Sequence, residues 1–368
     1  MKKLALFIFL FLLILLPTIV LGGSNGHSDL KGNVQQKLGA FMAQKAKTSQ
    51  FNGVVLVAKN GKAIFEKGYG YADVANGIHN QTSTEFRIAS LTKSFTAVSI
   101  LQLEEAGKLK TTDPISKYFP TFQNGDKITI HNLLTHSSGV ANHFNLTDTT
   151  KPISLSSFIE LMGKQKLTFS PGTKYKYSDT GYMILASIIE KVSGESYMEY
   201  YKEHIFDIAG MQHTYFRKAE ARRMAIGYEN MKISEMEDDE SQYAGAGDII
   251  STVDDMLKYN NAFLNGKLLS SEKVKEMETG YIDTVPLGIF KYGYGWLVAD
   301  NLISFGKPMI EHSGNLPGFK SDIINFPEDR ITIIVLSNNH GPWVPGVLTR
   351  ELASISLDKR FWFYQKYY

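Results

Sequence analysis

The sequence predicts an α/β fold of the α+β type, with an antiparallel sheet built from the N- and C-terminal segments. Helices flank that sheet, and a mostly helical domain is inserted between its two halves. Three observations predict this. Near the N-terminal end, runs rich in β-branched and aromatic residues at 51–58 and 63–71 flank Lys59-Asn60-Gly61-Lys62. Asn-Gly between two such runs is a strong hairpin signal. Near the C-terminal end three further strand-like runs occupy 293–298, 319–326 and 331–336, the last two joined by the turn Pro327-Glu328-Asp329-Arg330. Between these groups, from Leu91 to about Met236, the pattern is helical and loop-rich. Strands at both ends with helices between them imply one sheet carrying an insertion.

The elements follow in order. Lys2 and Lys3, the unbroken apolar run 4–16 and the small-residue region Val20-Leu21-Gly22 read as a secretory signal peptide over residues 1–23. The rival reading is an uncleaved anchor, since extending the run to Leu21 gives eighteen residues, marginal for spanning a bilayer. No second apolar segment approaches that length, so the mature chain is expected outside the cytoplasm, secreted or in the cell envelope. Residues 24–85 and 241–356 are assigned to the sheet domain, 86–240 to the inserted helical domain, and 357–368 to an aromatic tail. Within them, 30–47 has helical spacing through Leu30, Val34, Leu38 and Met42. The stretch 91–109 places Phe95, Val98 and Leu101 on one helix face and stops at Gly107. The run 235–240 (EMEDDE) reads as a solvated acidic connection, 248–264 as a helix, and 344–355 as a closing helix. The tail segment 360–368 (RFWFYQKYY) either packs on the body or touches a membrane surface or partner.

Composition narrows the function classes. Hydrophobic residues at 43% and charged residues at 21% suit a folded chain of 368 residues. Basic and acidic side chains number 39 and 37, and losing Lys2 and Lys3 with a leader would equalise them. No basic face is advertised, so a nucleic-acid partner is not expected. Cysteine is absent, which leaves burial to hold an exported fold and excludes thiol catalysis, thiolate zinc sites and a lipoprotein anchor. His131, His136 and His143 are the densest histidine group, without H-E-x-x-H; His136 reads as a packing residue of the block at 133–140, and no metal or cofactor is expected. The match to G-x-S-x-G at 22–26 lies at the leader junction without flanking strand and helix, and is a decoy.

The chemistry gathers on three segments. The first is RIASLTKSF at 87–95, where Ser90 precedes Lys93 by three residues. At a helix start the two sit one turn apart on one face. The helix N-terminus favours negative charge on the serine oxygen, and a desolvated lysine can take its proton. The alternative is a serine that caps the helix beside a solvated lysine. The pair alone does not decide, because S-x-x-K starts at Ser28, Ser90, Ser270, Ser304 and Ser356. The second segment is SPGTKYKYSDTGY at 170–182, in which a Pro-Gly turn leads to Tyr177 and a helix begins near Thr180. Nearby lysine cations can lower a tyrosine's pKa and make it a base. The third is EHSGNLPGF at 311–319, a polar strand end running into a Gly-rich turn.

In this order SLTK, YSD and HSG resemble the serine β-lactamase and penicillin-binding protein family. The branch is that of class C β-lactamases, D-alanyl-D-alanine carboxypeptidases, D-aminopeptidases and esterases. LLTHSSGV at 133–140 and AGAGDIISTVDDMLKY at 244–259 also resemble its common blocks, and the resemblance spans roughly 30–356. It implies a β-lactamase/transpeptidase-like fold, Ser90 as the acylated nucleophile, Lys93 as its base partner and Tyr177 as base or proton shuttle. It implies an oxyanion hole from the backbone N–H groups of Ser90 and Asn315, with Asp179, His312, Ser313 and Gly314 lining the substrate site. Asp179 stands where the family has asparagine, which replaces an amide donor by an acceptor and should hold Lys93 protonated. His312 stands where the family often has lysine and is expected to be neutral, weakening the grip on a substrate carboxylate. The expected activity is that of an exported serine hydrolase on D-amino-acid peptides or esters of peptidoglycan type, with β-lactams as slow acylating ligands. The alternative is a non-catalytic envelope module that keeps the fold for binding or regulation.

Overall fold

The computed structural model describes residues 34–48, 51–216, 221–234, 236–341 and 344–359. The leader, the 22–26 decoy, the Ser28 copy of S-x-x-K, Glu235 and the tail segment 360–368 lie outside the described residues. Among the described residues no helix is long and apolar enough to cross a membrane.

In chain order the elements used below are α1 (Val34–Thr48), β1 (Gly53–Lys59), β2 (Lys62–Tyr69), β3 (Phe86–Arg87) and α2 (Thr92–Glu105). They continue with α3 (Ile130–Leu134), α4 (Leu155–Met162), α5 (Asp179–Ser193), α6 (Tyr197–Tyr201), β4 (Ile250–Ser251), α7 (Val253–Leu264) and α8 (Ser271–Met277). The chain closes with β5 (Ile282–Asp283), β6 (Lys291–Tyr292), β7 (Leu297–Ala299), β8 (Met309–Leu316), β9 (Phe319–Phe326), β10 (Ile331–Ser337) and α9 (Pro345–Ser356). Eight of the strands form one sheet in the order β2-β1-β10-β9-β8-β7-β6-β5. Its paired strands are antiparallel, and β1 meets β10 in the register Gly53↔Ser337 to Lys59↔Ile331, joining the two ends of the chain. The predicted hairpin forms, with Asn60 and Gly61 both at positive φ (53° and 72°) as a primed turn requires.

The centre of the sheet is buried on both faces, which is why β1 and β10 read as near-continuous apolar runs. Side chains alternate along a strand, so Val54, Leu56, Ile334 and Leu336 enter one core with α2, α5 and α7. Val55, Val57, Ile333 and Val335 enter a second core with Leu38 and Met42 of α1 and Leu348 and Leu352 of α9. Truncating such a residue to alanine costs about 2–5 kcal/mol. Burial on this scale on two faces is what a chain without disulfides relies on.

Three local expectations are corrected. The run 293–298 is not one strand: the Gly293 N–H bonds the Trp296 carbonyl at 2.8 Å, and Gly295 (φ 74°) turns the chain between β6 and β7. The helix expected over 248–264 begins at Val253, because Ile250-Ser251 pairs with Phe86-Arg87 and the Thr252 side chain caps the helix from the Asp255 N–H. The acidic connection is not merely solvated. Asp238 accepts from the Tyr243 hydroxyl at 2.5 Å and Glu240 pairs with Arg87 at 2.5 Å.

Candidate active site

Ser90 lies in the single 3-10 turn Ala89–Leu91 that joins β3 to α2. The turn is tied to the sheet, since the Ile88 N–H bonds Ile249 O at 3.0 Å and the Ile88 carbonyl accepts from Ser321 Oγ at 2.6 Å. Ala89 is held at φ 50°, a left-handed conformation that a non-glycine residue avoids. Such backbone costs about 1–3 kcal/mol and persists only where its surroundings over-determine it. Ser90 makes no helix-capping hydrogen bond. The capping alternative is therefore not realised.

Lys93 follows one turn along α2 and is completely buried. Its Nζ donates to Ser90 Oγ (3.1 Å), Asp179 Oδ1 (2.6 Å) and the Ala246 carbonyl (2.7 Å). It also lies 4.8 Å from the centre of the Tyr177 ring. Burial lowers the Lys93 pKa from its ordinary value, while the Asp179 charge and hydrogen bond oppose the fall. The anion thus acts in the expected direction, and desolvation outweighs it. No other described S-x-x-K copy shows a serine-lysine side-chain contact. Ser270 caps α8, Lys307 pairs with Asp329, and Ser356 bonds back to Leu352 O.

Asp179 opens α5, whose first turn is capped by Ser178 Oγ accepting from the Gly181 N–H. This start aims Asp179 at Lys93 and leaves its side chain 27% exposed. Tyr177, two residues earlier, lies beside Ser90 with its ring under Lys93 Nζ, and keeps 40% of its surface exposed. Its pKa is raised well above the ordinary value by burial of the hydroxyl and by the Asp179 charge. The expectation that lysine cations lower it is corrected: a desolvated phenol beside a carboxylate keeps its proton.

On β8, side chains alternate between the two faces of the sheet. Gly314 faces the serine turn so closely that a Cβ there would lie 2.4 Å from Ile88 O and 3.0 Å from the Ala89 Cβ. Ser313 faces the other way, its hydroxyl donating to Asp322 at 2.5 Å, and Asp322 also accepts from Thr349 of α9. Glu311 on that same face pairs with Arg350. The β8-β9 hairpin closes at Leu316↔Phe319, so Asn315↔Lys320 is the next, non-hydrogen-bonded pair. That alternation turns the Asn315 N–H away from β9, toward the side where the pairing with β7 has ended at Leu297↔Glu311. The Asn315 side chain instead accepts from His340 Nε2 at 2.7 Å.

His312 is buried, and burial together with the nearby Lys93 charge pushes its pKa down to about 3. Its Nδ1 lies 2.8 Å from the Ser313 carbonyl and must donate to it, so Nε2 accepts from the Tyr292 hydroxyl at 2.9 Å. Burial and the Lys93 charge both favour the neutral imidazole, which offers no cation to a carboxylate.

Three participants escaped the sequence reading. Tyr292 sits between glycine-rich turns with no motif to mark it. The Ala246 carbonyl is a backbone group. Asp248, within the AGAGD block, accepts from the Tyr197 hydroxyl (2.6 Å) and the Gly245 N–H (3.2 Å), holding the loop that carries Ala246. The three histidines at 131, 136 and 143 do not converge on a common point. His131 bonds Tyr294, and His143 bonds Thr180 and the Gln242 carbonyl.

A half-buried serine against a buried lysine, a tyrosine beside them and a glycine-backed strand edge meet at one place. The family described as Beta-lactamase matches residues 34–356. The chain belongs to the Beta-lactamase family. It is a hydrolase of that family, related to penicillin-binding proteins. It is 39% identical over 295 residues to "Putative penicillin-binding protein PbpX" of Bacillus subtilis, covering 78% of this chain and 71% of that one. The octameric penicillin-binding protein homologue of Pyrococcus abyssi superposes with a TM-score of 0.77 at 30% identity, covering 88% of this chain and 78% of that one. FmtA of Staphylococcus aureus superposes with a TM-score of 0.76 at 25% identity, covering 92% and 93% of the two chains.

Asp248 gives this family member a testable pH dependence. Burial raises its carboxyl from 3.8 to about 7. Between those values the unfolded chain has lost the proton that the folded chain retains. Stability contributed by this group is therefore full below about pH 4 and is lost as pH rises toward 7, up to roughly 4 kcal/mol. Denaturant melts from pH 4 to 8 should show a steeper decline in wild type than in Asp248→Asn, by about 2–4 kcal/mol. Parallel curves would show that Asp248 ionises as readily folded as unfolded.

Proposed function

We propose that this chain is an exported serine hydrolase acting through an acyl-enzyme on D-amino-acid peptides or esters of the cell envelope. Acylation by β-lactams is slow. The observation that carries the reading is the contact of Ser90 with both Lys93 and Tyr177. As the neutral amine that burial favours, Lys93 keeps its N–H bonds to Asp179 and the Ala246 carbonyl and turns its lone pair to Ser90 Oγ, taking the serine proton as that oxygen attacks the substrate carbonyl. The N–H groups of Ser90 and Asn315 receive the oxyanion, each contributing about 3–4 kcal/mol. Tyr177 keeps its proton in the resting site and relays a proton to the leaving oxygen or nitrogen as the carbonyl re-forms. Lys93 returns its proton to Tyr177 after the relay; water then attacks the ester on Ser90, Lys93 accepts the water proton, and it hands that proton back to Ser90 Oγ as the acid leaves.

The neutral His312 and the anionic Asp179 position weaken recognition of a carboxylate and of an acyl-amide carbonyl, both of which a penicillin presents. These features support slow β-lactam acylation. The reading is tested by intact-mass time courses with D-alanyl and L-alanyl esters and with a penicillin. A transient adduct forming faster from the D-ester than from the L-ester, and a slow, long-lived penicillin adduct, are expected. Equal rates for both enantiomers, or no adduct from any of the three, would refute it.

Asp179→Asn isolates the altered position. It restores an amide donor toward an acyl-amide carbonyl and removes the charge that opposes the fall of the Lys93 pKa. Second-order acylation by one penicillin should rise at least tenfold, about 1.4 kcal/mol, and the basic limb of its pH profile between 6 and 9 should move downward. A variant no faster at any pH, with an unmoved limb, would show that Asp179 does not tune this site.

A further inference from the structure

The sequence predicts only a packing role for His136 in the block at 133–140, and the structure gives it more to do. It follows α3 and is 1% exposed, with φ at 57°. Its carbonyl accepts from the Lys176 N–H at 2.9 Å, and its Nδ1 accepts from the Ser178 N–H at 3.1 Å. Those two amides flank Tyr177 on either side. The His136 ring itself lies 4.2 Å from the Tyr177 ring, centre to centre, and 4.4 Å from that of Tyr292. One residue therefore grips the backbone before and after Tyr177 and also packs against its side chain.

Packing alone does not account for this arrangement. A phenylalanine would fill the space, needs no acceptor, and gains nothing from a left-handed backbone. Because Nδ1 accepts, the ring proton of the neutral imidazole must sit on Nε2. Nε2 is buried and has no hydrogen-bond partner. A buried unpaired donor is tolerated where the group does something its replacement cannot. Burial, with the neighbouring Lys93 charge, holds the His136 pKa well below its ordinary value, so the acceptor stays available.

We propose that His136 is the positioning residue for Tyr177, fixing the tyrosine hydroxyl against Ser90 through its two hydrogen bonds to the flanking amides. The inference rests on the proton-relay role given to Tyr177 above. A relay is needed when the leaving group is a poor one, such as an alkoxide or an amine, and hardly at all for p-nitrophenolate. Loss of the positioning residue should therefore discriminate between leaving groups, which general loosening of the fold would not.

His136→Phe keeps an aromatic ring and removes the side-chain acceptor. His136→Asn keeps an acceptor near the Nδ1 position and tolerates the left-handed backbone. Acylation is measured with a D-alanyl methyl ester and a D-alanyl p-nitrophenyl ester, with Tyr177→Phe as the benchmark. His136→Phe should lose at least tenfold on the methyl ester and less than threefold on the p-nitrophenyl ester, with His136→Asn recovering most of the loss. Adding His136→Phe to Tyr177→Phe should cost little more than Tyr177→Phe alone. Equal losses on both esters, no recovery in His136→Asn, or additive effects in the double variant would overturn the proposal. If His136→Phe does not fold, His136→Gln replaces it, since its carboxamide reaches toward the Nε2 position and leaves the Ser178 N–H without an acceptor. Absence of the split in Tyr177→Phe itself would instead refute the relay role, which keeps the two failures distinguishable.

Discussion

Ser90→Ala is expected to abolish ester turnover, lowering it by more than about 10⁴-fold while the thermal melt stays near that of wild type. The hydroxyl is half-buried and its loss leaves no large void, so a folding defect is not expected. What disappears is the atom that both Lys93 and Tyr177 contact. Groups that act on one atom are not additive, so Ser90→Ala combined with Lys93→Met should be no worse than Ser90→Ala alone. A double variant that is another hundredfold slower would mean that Lys93 acts on something other than this serine.

Lys93→Met and Tyr177→Phe should each lower acylation by the D-alanyl methyl ester by about 10²–10⁴-fold. Methionine is preferred to alanine at 93 because the lysine stem is completely buried, and an empty site there would confound activity with stability. Asp179 loses its partner cation in that variant, but its side chain is 27% exposed and water can solvate it. The pH profile separates the two roles. With the Lys93 pKa lowered by burial, the rate should climb along one basic limb that is absent in Lys93→Met. Tyr177→Phe should keep that limb, because the tyrosine pKa is raised and no phenolate forms in the working range. Methyl-ester acylation within threefold of wild type in either folded variant would remove that residue from the proton path.

Much of this was legible in the chain because strong local signals and global packing agree. Asn60-Gly61 between β-branched runs became the hairpin, and the runs that enter both cores were continuous because both sheet faces are covered. Ser90, Lys93, Tyr177 and Asp179 were found through motif order, and the fold brings them together from two helix starts. The misses have physical causes. β3 and β4 are two residues each and pair across most of the insertion, so no local period marks them. Tyr292 joins the site only because Gly293 and Gly295 break an apparent strand and redirect it. The grip of His136 depends on one backbone carbonyl and one ring nitrogen, and sequence spacing shows neither. The raised pKa of Tyr177 also needed the structure, since it follows from burial and from the carboxylate two residues on rather than from nearby lysines.

The central claim is that Ser90 alone, among the serines of S-x-x-K, is a nucleophile. Labelling the full chain with a fluorophosphonate and mapping the adduct by peptide mass spectrometry tests it most directly. One adduct on the peptide carrying Ser90, absent from Ser90→Ala, is the expected result. An adduct that persists in Ser90→Ala, or that maps to Ser270, Ser304 or Ser356, would contradict the account.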